Sequence, residues 1–196
     1  MERVAQIDRK TKETDVKLSL NIDGIGKHQI DTGIGFFDHM LASFAKHGRF
    51  DLLLTVKGDL EVDSHHTVED VGLCLGGAFS EALGDKENIT RFGQACVPMD
   101  EALVLAAVDL CGRGFYFGEL AGLEEAPLGS MDGQVIPEFF RSLAYRGGIT
   151  LHVRVLCGAN WHHVAEAAFK AVALALRQAC SRDDSAGVPS TKGTLD

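Results

Sequence analysis

Two segments of the chain carry similar residues in the same order, 99 positions apart. The first begins at His39 and reads HMLASFAKHGRFDLLLTV, and the second begins at Glu138 and reads EFFRSLAYRGGITLHVRV. Several tandem repeats of roughly 20–50 residues would indicate a solenoid. A single repetition at a much longer period instead indicates a duplicated half-domain. The chain is therefore expected to fold as two similar halves.

A second pair of matching segments, DSHHTVED and NWHHVAEA, follows at a spacing of 97 residues. The second copy has therefore lost two residues of the preceding loop. A weaker match near the start of each half places Glu13 opposite Glu101. The two later segments share the pattern HHxxE, which consists of His65, His66 and Glu69 in the first half and His162, His163 and Glu166 in the second.

The hydrophobic pattern of each half predicts the order strand, helix, strand, helix. This order indicates an α/β or α+β protein. We expect one domain over residues 1–196, built from repeats at about 1–90 and 91–180, with a tail at 181–196. The tail is polar and aperiodic, which is typical of a disordered terminus. Strands are predicted at 16–22, 52–56, 103–110 and 149–156, and helices at 36–46, 65–83, 138–145 and 162–180.

Composition excludes several classes of protein. The formal net charge of −9 disfavours general nucleic-acid binding, which requires a basic surface. No apolar run approaches the roughly 20 residues of a membrane span, and no signal-like segment is present. Five cysteines without a CxxC pair argue against a disulfide framework or a thiolate zinc site. These features predict a cytoplasmic protein that binds neither membranes nor nucleic acids.

The doubled HHxxE pattern predicts a metal site. On a helix, a histidine and a glutamate three or four positions apart lie on one surface, where they can share an ion. Adjacent histidines point about 100° apart, so one helix can supply two different ions. A single such motif could equally be an ordinary helix face. Its recurrence at matching places in a repeat favours metal binding.

The repeat also makes His39 and Glu138 equivalent, as a candidate seventh and eighth ligand. Alternatively, His39 lies on a helix face and Glu138 is a solvated charge near a helix start. Imidazole and carboxylate ligands without thiolate suit Mn, Fe, Zn, Co or Ni. Eight ligands shared by two ions would leave open positions, as in catalytic sites, whereas structural zinc is closed at four ligands.

Some lysine and arginine residues occupy positions at which the two halves differ, and these residues are candidate phosphate ligands. Arg113 falls opposite Ile25, and Lys170 falls opposite Leu73. If cations of this acidic chain cluster, they would bind phosphate through charge-assisted hydrogen bonds. Solvated surface charges are the alternative. The candidates are Arg91, Arg113, Lys170 and Lys192.

Four segments together resemble the imidazoleglycerol-phosphate dehydratase family of histidine biosynthesis. They read GIGFFDHMLASFAKHGRFDL, DSHHTVEDVG, ANWHHVAEAAFKA and VPSTKGTL, and the resemblance extends from about residue 3 to 195. It implies a duplicated α+β fold like ribosomal protein S5 domain 2, with helices packed against two four-stranded sheets. It also implies assembly into a 24-subunit shell with active sites between subunits.

The resemblance further implies a hydro-lyase that converts D-erythro-imidazole glycerol phosphate to imidazole-acetol phosphate and water. Two Mn²⁺ ions per site would stabilise an imidazolate-type intermediate. Position 138 departs from the usual family pattern, which has histidine there. The implied ligands are His39, His65, His66, Glu69, Glu138, His162, His163 and Glu166. The implied catalytic carboxylates are Glu13, Glu69 and Glu166. The tail would be ordered over the bound substrate. The implied substrate contacts are Glu13, Arg91, Arg113, Lys170, Ser190, Thr191 and Lys192.

Two other functions fit the metal pattern. A dinuclear hydrolase would use a bound water as its nucleophile. A metal-storage shell would have closed metal sites and no use for a cationic tail. Phosphate contacts beside open metal positions distinguish the dehydratase from both.

Overall fold

The computed structural model describes residues 3–120, 122–123, 126–193 and 195, and it has an α+β fold. The strands are β1 (Val4–Lys10), β2 (Thr14–Asn21), β3 (His28–Asp31), β4 (Asp51–Gly58), β5 (Phe92–Met99), β6 (Ala102–Asp109), β7 (Phe115–Glu119), β8 (Pro127–Leu128), β9 (Met131–Asp132) and β10 (Thr150–Cys157). The helices are α1 (Gly35–Gly48), α2 (His65–Leu83), α3 (Val135–Gly147) and α4 (Trp161–Cys180).

The two halves form four-stranded sheets with the same topology. The first sheet has the order β1-β2-β4-β3, and the second has the corresponding order β5-β6-β10-β7. In each sheet the first three neighbours pair antiparallel and the last pair is parallel. The short strands β8 and β9 pair only with each other. The duplicated half-domain with two four-stranded sheets is thus confirmed.

All eight predicted elements are present, but each half contains two further strands in its four-stranded sheet that the hydrophobic pattern did not predict, and the short strands β8 and β9 of the second half were also not predicted. The missed strands β1, β3, β5 and β7 lie at the sheet edges. In β1, for example, which reads VAQIDRK, only Ala5 is fully buried, and the other side chains are exposed or partly exposed. An edge strand that buries so few side chains lacks the apolar alternation by which strands are recognised.

Helices of one half pack against helices of the other, α1 with α4 and α2 with α3. A cluster of fully buried phenylalanines joins three of them. The ring centroids of Phe37 and Phe139 are 5.3 Å apart, and those of Phe139 and Phe169 are 5.2 Å apart. Aromatic pairs at this spacing contribute beyond the area that they bury. The cluster fixes the start of α1 against α4, where the histidines of the candidate site lie.

Two glycines allow α2 to lie unusually close to α3. A Cβ atom at Gly72 would be 2.7 Å from the carbonyl oxygen of Phe139, and one at Gly76 would be 2.5 Å from that of Leu143. Because the obstructing atoms belong to a backbone, a side-chain rotation cannot make room. The absence of side chains at these positions is therefore a requirement of the packing between the halves.

Replacing Gly76 with alanine is expected to destabilise the protein by roughly 1–3 kcal/mol, since overpacking exceeds the gain in helix propensity. The neighbouring Gly77→Ala variant is the control. Its new Cβ would meet no atom nearer than 3.7 Å, so it should be neutral or stabilising by up to about 1 kcal/mol. Chemical unfolding of both variants measures the difference. Equal stability of the two would contradict the close packing.

The described part of the tail packs along the loop before β5. The amide of Asp183 donates to the carbonyl oxygen of Asn88 at 2.9 Å, and Arg91 Nη1 donates to the carbonyl oxygen of Pro189 at 2.6 Å. These contacts give the polar tail a defined path, which its composition did not indicate. Within the described residues, no helix is long and apolar enough to cross a bilayer.

Candidate active site

His39, His162 and Glu166 form a compact group of potential metal ligands. The Nε2 atoms of both histidines lie 3.3 Å from Glu166 Oε2. One ligand atom from each residue lies within 4.8 Å of the other two, and in the described residues this is the one such group of three or more. Imidazole nitrogen and carboxylate oxygen are suitable donors for a divalent transition metal. The chemistry and the spacing of these side chains therefore fit an ion.

Helix geometry places these three side chains together. His162 and Glu166 are four residues apart on α4 and so share a face. The side chain of Asn160 accepts a hydrogen bond from the amide of His162 and caps the start of the helix. His39 lies near the start of α1, and its ring centroid is 5.7 Å from that of His162.

The buried Glu166 is held as a carboxylate. Burial would raise its pKa, but Lys170 and His39 outweigh this effect and leave the pKa below its ordinary value. Lys170 Nζ donates to Glu166 Oε1 at 2.8 Å, which leaves Oε2 facing the two histidines. The lysine thus neutralises one side of the carboxylate while the other side remains available to a cation.

The corresponding residues of the first half are arranged differently. His65 Nε2 lies 3.5 Å from Glu69 Oε2, as expected from their spacing on α2. Glu138, the counterpart of His39, is held by Arg141 and Ser142 of its own helix. The glutamate at this position therefore has an internal cationic partner that a histidine would not have. The sequence prediction that Glu138 is a metal ligand stays a prediction.

The second histidine of each HHxxE motif points away from the first. The rings of His65 and His66 are nearly perpendicular, at 88°, and those of His162 and His163 are at 90°. His66 Nδ1 lies 3.0 Å from Asp59 Oδ2, and His163 Nδ1 lies 2.7 Å from Glu101 Oε2. The two histidines of each motif thus have different partners, and the sequence prediction that one helix serves two separate ions stays a prediction.

Asp59 and Glu101 orient these two rings. A hydrogen bond to Nδ1 fixes the tautomer and directs Nε2 outward, as in carboxylate-histidine-metal arrangements. The bond with Asp59 raises the pKa of His66, and the bond with Glu101 raises that of His163. In return, His163 lowers the pKa of Glu101 to about 2.

Replacing Asp59 with asparagine is expected to weaken metal affinity roughly 10–100-fold, because partners of this kind hold the ligand in its binding orientation. The measurement is metal dissociation during titration with a competing chelator. Glu61→Gln is the matched control, since Glu61 is exposed in the same loop. Equal affinity of the two variants would show that Asp59 does not orient a metal ligand.

Glu13 lies beside the first of these histidines. Its carboxylate is half exposed, and Oε1 is 3.9 Å from His66 Nε2. Its backbone is fixed, because its amide donates to Thr11 Oγ1 and its carbonyl oxygen accepts from the amide of Asp59. A half-exposed carboxylate on a fixed backbone is suited to general acid/base chemistry.

The predicted phosphate contacts of the tail come together in a cavity of about 450 Å³. Arg91 is anchored there by Asp109, with Nε 2.7 Å from Oδ1. Lys170, which the sequence analysis grouped with these cations, does not line the cavity. It forms an ion pair with Glu166 instead. The cavity is lined by Arg91, Arg113, Pro189, Ser190, Thr191, Lys192 and Leu195.

This cavity and the His39–His162–Glu166 group lie at opposite ends of α4. The amide of Arg91 donates to the carbonyl oxygen of Ala179, 13 residues beyond Glu166 and so about 20 Å along the helix. The strand β6 also separates the two sites along its length. Asp109 at one end of β6 binds Arg91 of the cavity, and Glu101, just before the other end, binds His163. The two sites of one chain are thus well separated.

Comparison with known proteins identifies the family. The family model for imidazoleglycerol-phosphate dehydratase matches residues 32–176, which is well over half of the chain. The chain belongs to the imidazoleglycerol-phosphate dehydratase family. The dehydratase of Acetivibrio thermocellus is 56% identical over 196 residues and that of Pelotomaculum thermopropionicum 53% over 194, with at least 99% of each chain covered.

Solved dehydratase structures have the same fold. The Pyrococcus furiosus enzyme, determined in complex with (S)-C348, has a TM-score of 0.83 at 38% identity and covers 96% of this chain and 100% of its own. The Staphylococcus aureus enzyme has a TM-score of 0.82 at 33% identity, with 91% and 99% covered. Both the family and the hydro-lyase class predicted from the sequence are confirmed.

Several residues that support the candidate dehydratase site were not found from the sequence. They are Asp59, which holds His66, Glu101, which holds His163, and Asp109, which holds Arg91. The repeat could not show that Asp59 and Glu101 have the same role, because they lie at different distances from their histidines. Asp59 precedes His66 by seven residues, and Glu101 precedes His163 by 62. The weak match between Glu13 and Glu101 was the one available signal, since both precede corresponding strands, β2 and β6.

Proposed function

We propose that the protein dehydrates D-erythro-imidazole glycerol phosphate to imidazole-acetol phosphate in histidine biosynthesis, using two divalent metal ions per site. The group formed by His39, His162 and Glu166 is the observation that carries the metal-dependent part. A storage protein would have no need of the cationic cavity at the tail. A hydrolase is disfavoured because every family relative reported above is a dehydratase.

The ligands divide between the two halves of the chain. His39, His162 and Glu166 would hold one ion, and His65 and Glu69 with Glu138 would hold the other, with His66 and His163 completing the shells. Mn²⁺ is the ion that we propose for both positions. When bound, such ions supply Lewis-acid stabilisation of negative charge that develops on the imidazole ring of the substrate.

The protein side chains would bind the substrate and move its protons. Arg91, Arg113 and Lys192 would hold the phosphate through charge-assisted hydrogen bonds. Glu13 would remove the proton from the carbon skeleton and return it as water leaves. Lys170 would keep Glu166 ionised, and its place beside that carboxylate supports this role better than a direct phosphate contact.

The active site is proposed to form between copies of the chain in a 24-subunit shell. The substrate consists of one five-membered ring, three further carbons and a phosphate. It cannot span about 20 Å between the metal group and the phosphate cavity of one chain. A cavity from one copy beside a metal group from another removes this difficulty.

Turnover by metal-stripped protein, with and without added Mn²⁺, tests the proposal. Imidazole-acetol phosphate is expected to form only after Mn²⁺ is restored. Activity with Zn²⁺, Fe²⁺ or Co²⁺ but not with Mn²⁺ would support the reaction and overturn the proposed metal. Absence of product with every metal, while the metals still bind, would overturn the dehydratase proposal and favour storage or hydrolysis.

A further inference from the structure

A second cationic pocket lies at the C-terminal ends of α1 and α4. It has a volume of about 280 Å³, and its walls include the backbone at Gly24 and Gly48. It shares no lining residue with the cavity at the tail. Four arginines converge on it from separate segments of the chain, namely Arg3, Arg49, Arg177 and Arg182.

Among the described residues that line this pocket, the one carboxylate, Asp23, is already engaged. Its Oδ1 lies 2.5 Å from Arg3 Nη2, and its Oδ2 lies 3.0 Å from Arg182 Nη2. Arg3, and after it Arg182, hold the pKa of Asp23 far below its ordinary value. Asp23 thus offsets part of the charge of Arg3 and Arg182, and this arginine-rich recess lies in a chain whose net charge is −9.

In the part of the chain that the structure describes, the other two arginines, Arg49 and Arg177, have no acidic partner. Among the described residues, neither guanidinium makes a hydrogen bond or an ion pair. Each follows or occupies the last turn of a helix, where a cation is favoured by the helix dipole. That dipole supplies only about half a negative charge per helix, so the two helix ends offset about one of the two positive charges on Arg49 and Arg177. Helix capping alone therefore does not account for these two arginines.

We propose that this pocket binds a phosphate-type oxyanion at a site separate from the catalytic one. Guanidinium groups bind such anions through paired, charge-assisted hydrogen bonds. The two unpartnered arginines extend from fixed backbone, Arg49 from a left-handed residue that ends α1 and Arg177 from the last turn of α4. Two unpartnered guanidinium groups in a small recess suit a compact oxyanion such as phosphate.

The pocket is distant from the metal group. From His39 to Arg49, and from Glu166 to Arg177, the path along each helix is about 15 Å. The anion bound here would therefore not be the phosphate of a substrate at the metal group of the same chain, and at a site shared between copies the proposed function already assigns the substrate phosphate to the tail cavity, which has different lining residues. It would instead join the end of α1 to Arg182, where the tail begins. The separateness of the pocket rests on the proposed function, which places the catalytic phosphate in the tail cavity, whereas anion binding by the pocket does not.

Binding of inorganic phosphate to the full chain at low ionic strength, measured by calorimetry, tests the proposal. We expect two phosphate sites per chain. Lys192→Gln should weaken only the tail cavity, and the double variant Arg49→Asn/Arg177→Gln should weaken only the new pocket, by about tenfold or more for each arginine. Asparagine suits the left-handed position of Arg49. Arg154→Gln, on the exposed face of the second sheet, is the control and should keep both sites.

A single site that responds only to Lys192→Gln would overturn the proposal. So would saturation of the pocket by acetate or citrate but not by phosphate, which would indicate a carboxylate ligand. If an acidic segment of a second copy fills the pocket, phosphate would find no second site and the double variant would change the sedimentation of the assembly. The single variant Arg177→Gln provides the same comparison if the double variant unfolds.

Discussion

Replacing Glu166 with glutamine is expected to lower kcat at least about a thousandfold, which corresponds to roughly 4 kcal/mol of lost transition-state stabilisation. Glutamine preserves the size of the side chain but removes its charge. Two neutral imidazoles and an amide hold a divalent ion poorly, and the partly buried Lys170 would then place an unopposed positive charge beside them. Both effects reduce the occupancy of the metal position formed by His39, His162 and residue 166.

Metal content per chain and kcat should be measured together on purified Glu166→Gln protein. We expect the loss of one ion per chain and retention of the other. Glu81→Gln, an exposed position at the end of α2, is the control and should change neither quantity. Full metal content with near-normal turnover would show that Glu166 is not a ligand, and thermal unfolding of both variants would distinguish this from misfolding.

The central group of the site could be predicted from the sequence because local geometry determines it. A helix brings His162 beside Glu166 whatever the rest of the fold does. The internal repeat then identified His39, because it occupies a position that the second half fills with another potential ligand. Doubling of the motif favoured metal binding over an ordinary helix face, which a single copy could not do.

The supporting partners could not be predicted, because they come from loops that are not equivalent in the two halves. Asp59 reaches His66 from the loop after β4, whereas Glu101 reaches His163 from the turn before β6. Likewise, Glu138 is paired with Arg141, and the repeat gives no sign of this pair. The matching position in the first half is Ala42. The charge of Lys170 makes it a candidate phosphate ligand in the sequence, although its spacing from Glu166 also allows an ion pair on α4.

Mixing two inactive variants is expected to restore about a quarter of wild-type activity if each site combines two copies in a symmetric assembly. One variant, His39→Asn/Glu166→Gln, lacks the metal group. The other, Arg113→Gln/Lys192→Gln, lacks the phosphate cavity. In a random equal mixture, half of the metal groups and half of the cavities are intact, and they meet by chance in one site of four. Each variant alone should be nearly inactive.

The two variants should be co-expressed and purified as mixed assemblies, with turnover compared at equal chain concentration. The control pairs the first variant with a chain that carries all four substitutions. That mixture assembles in the same way but contains no intact metal group, so it should stay inactive. If the first mixture is no more active than its separate components, each site draws both groups from one chain. The separation of about 20 Å along α4 would then have to be closed within a single chain, which the fixed helix does not allow without a different path for the tail.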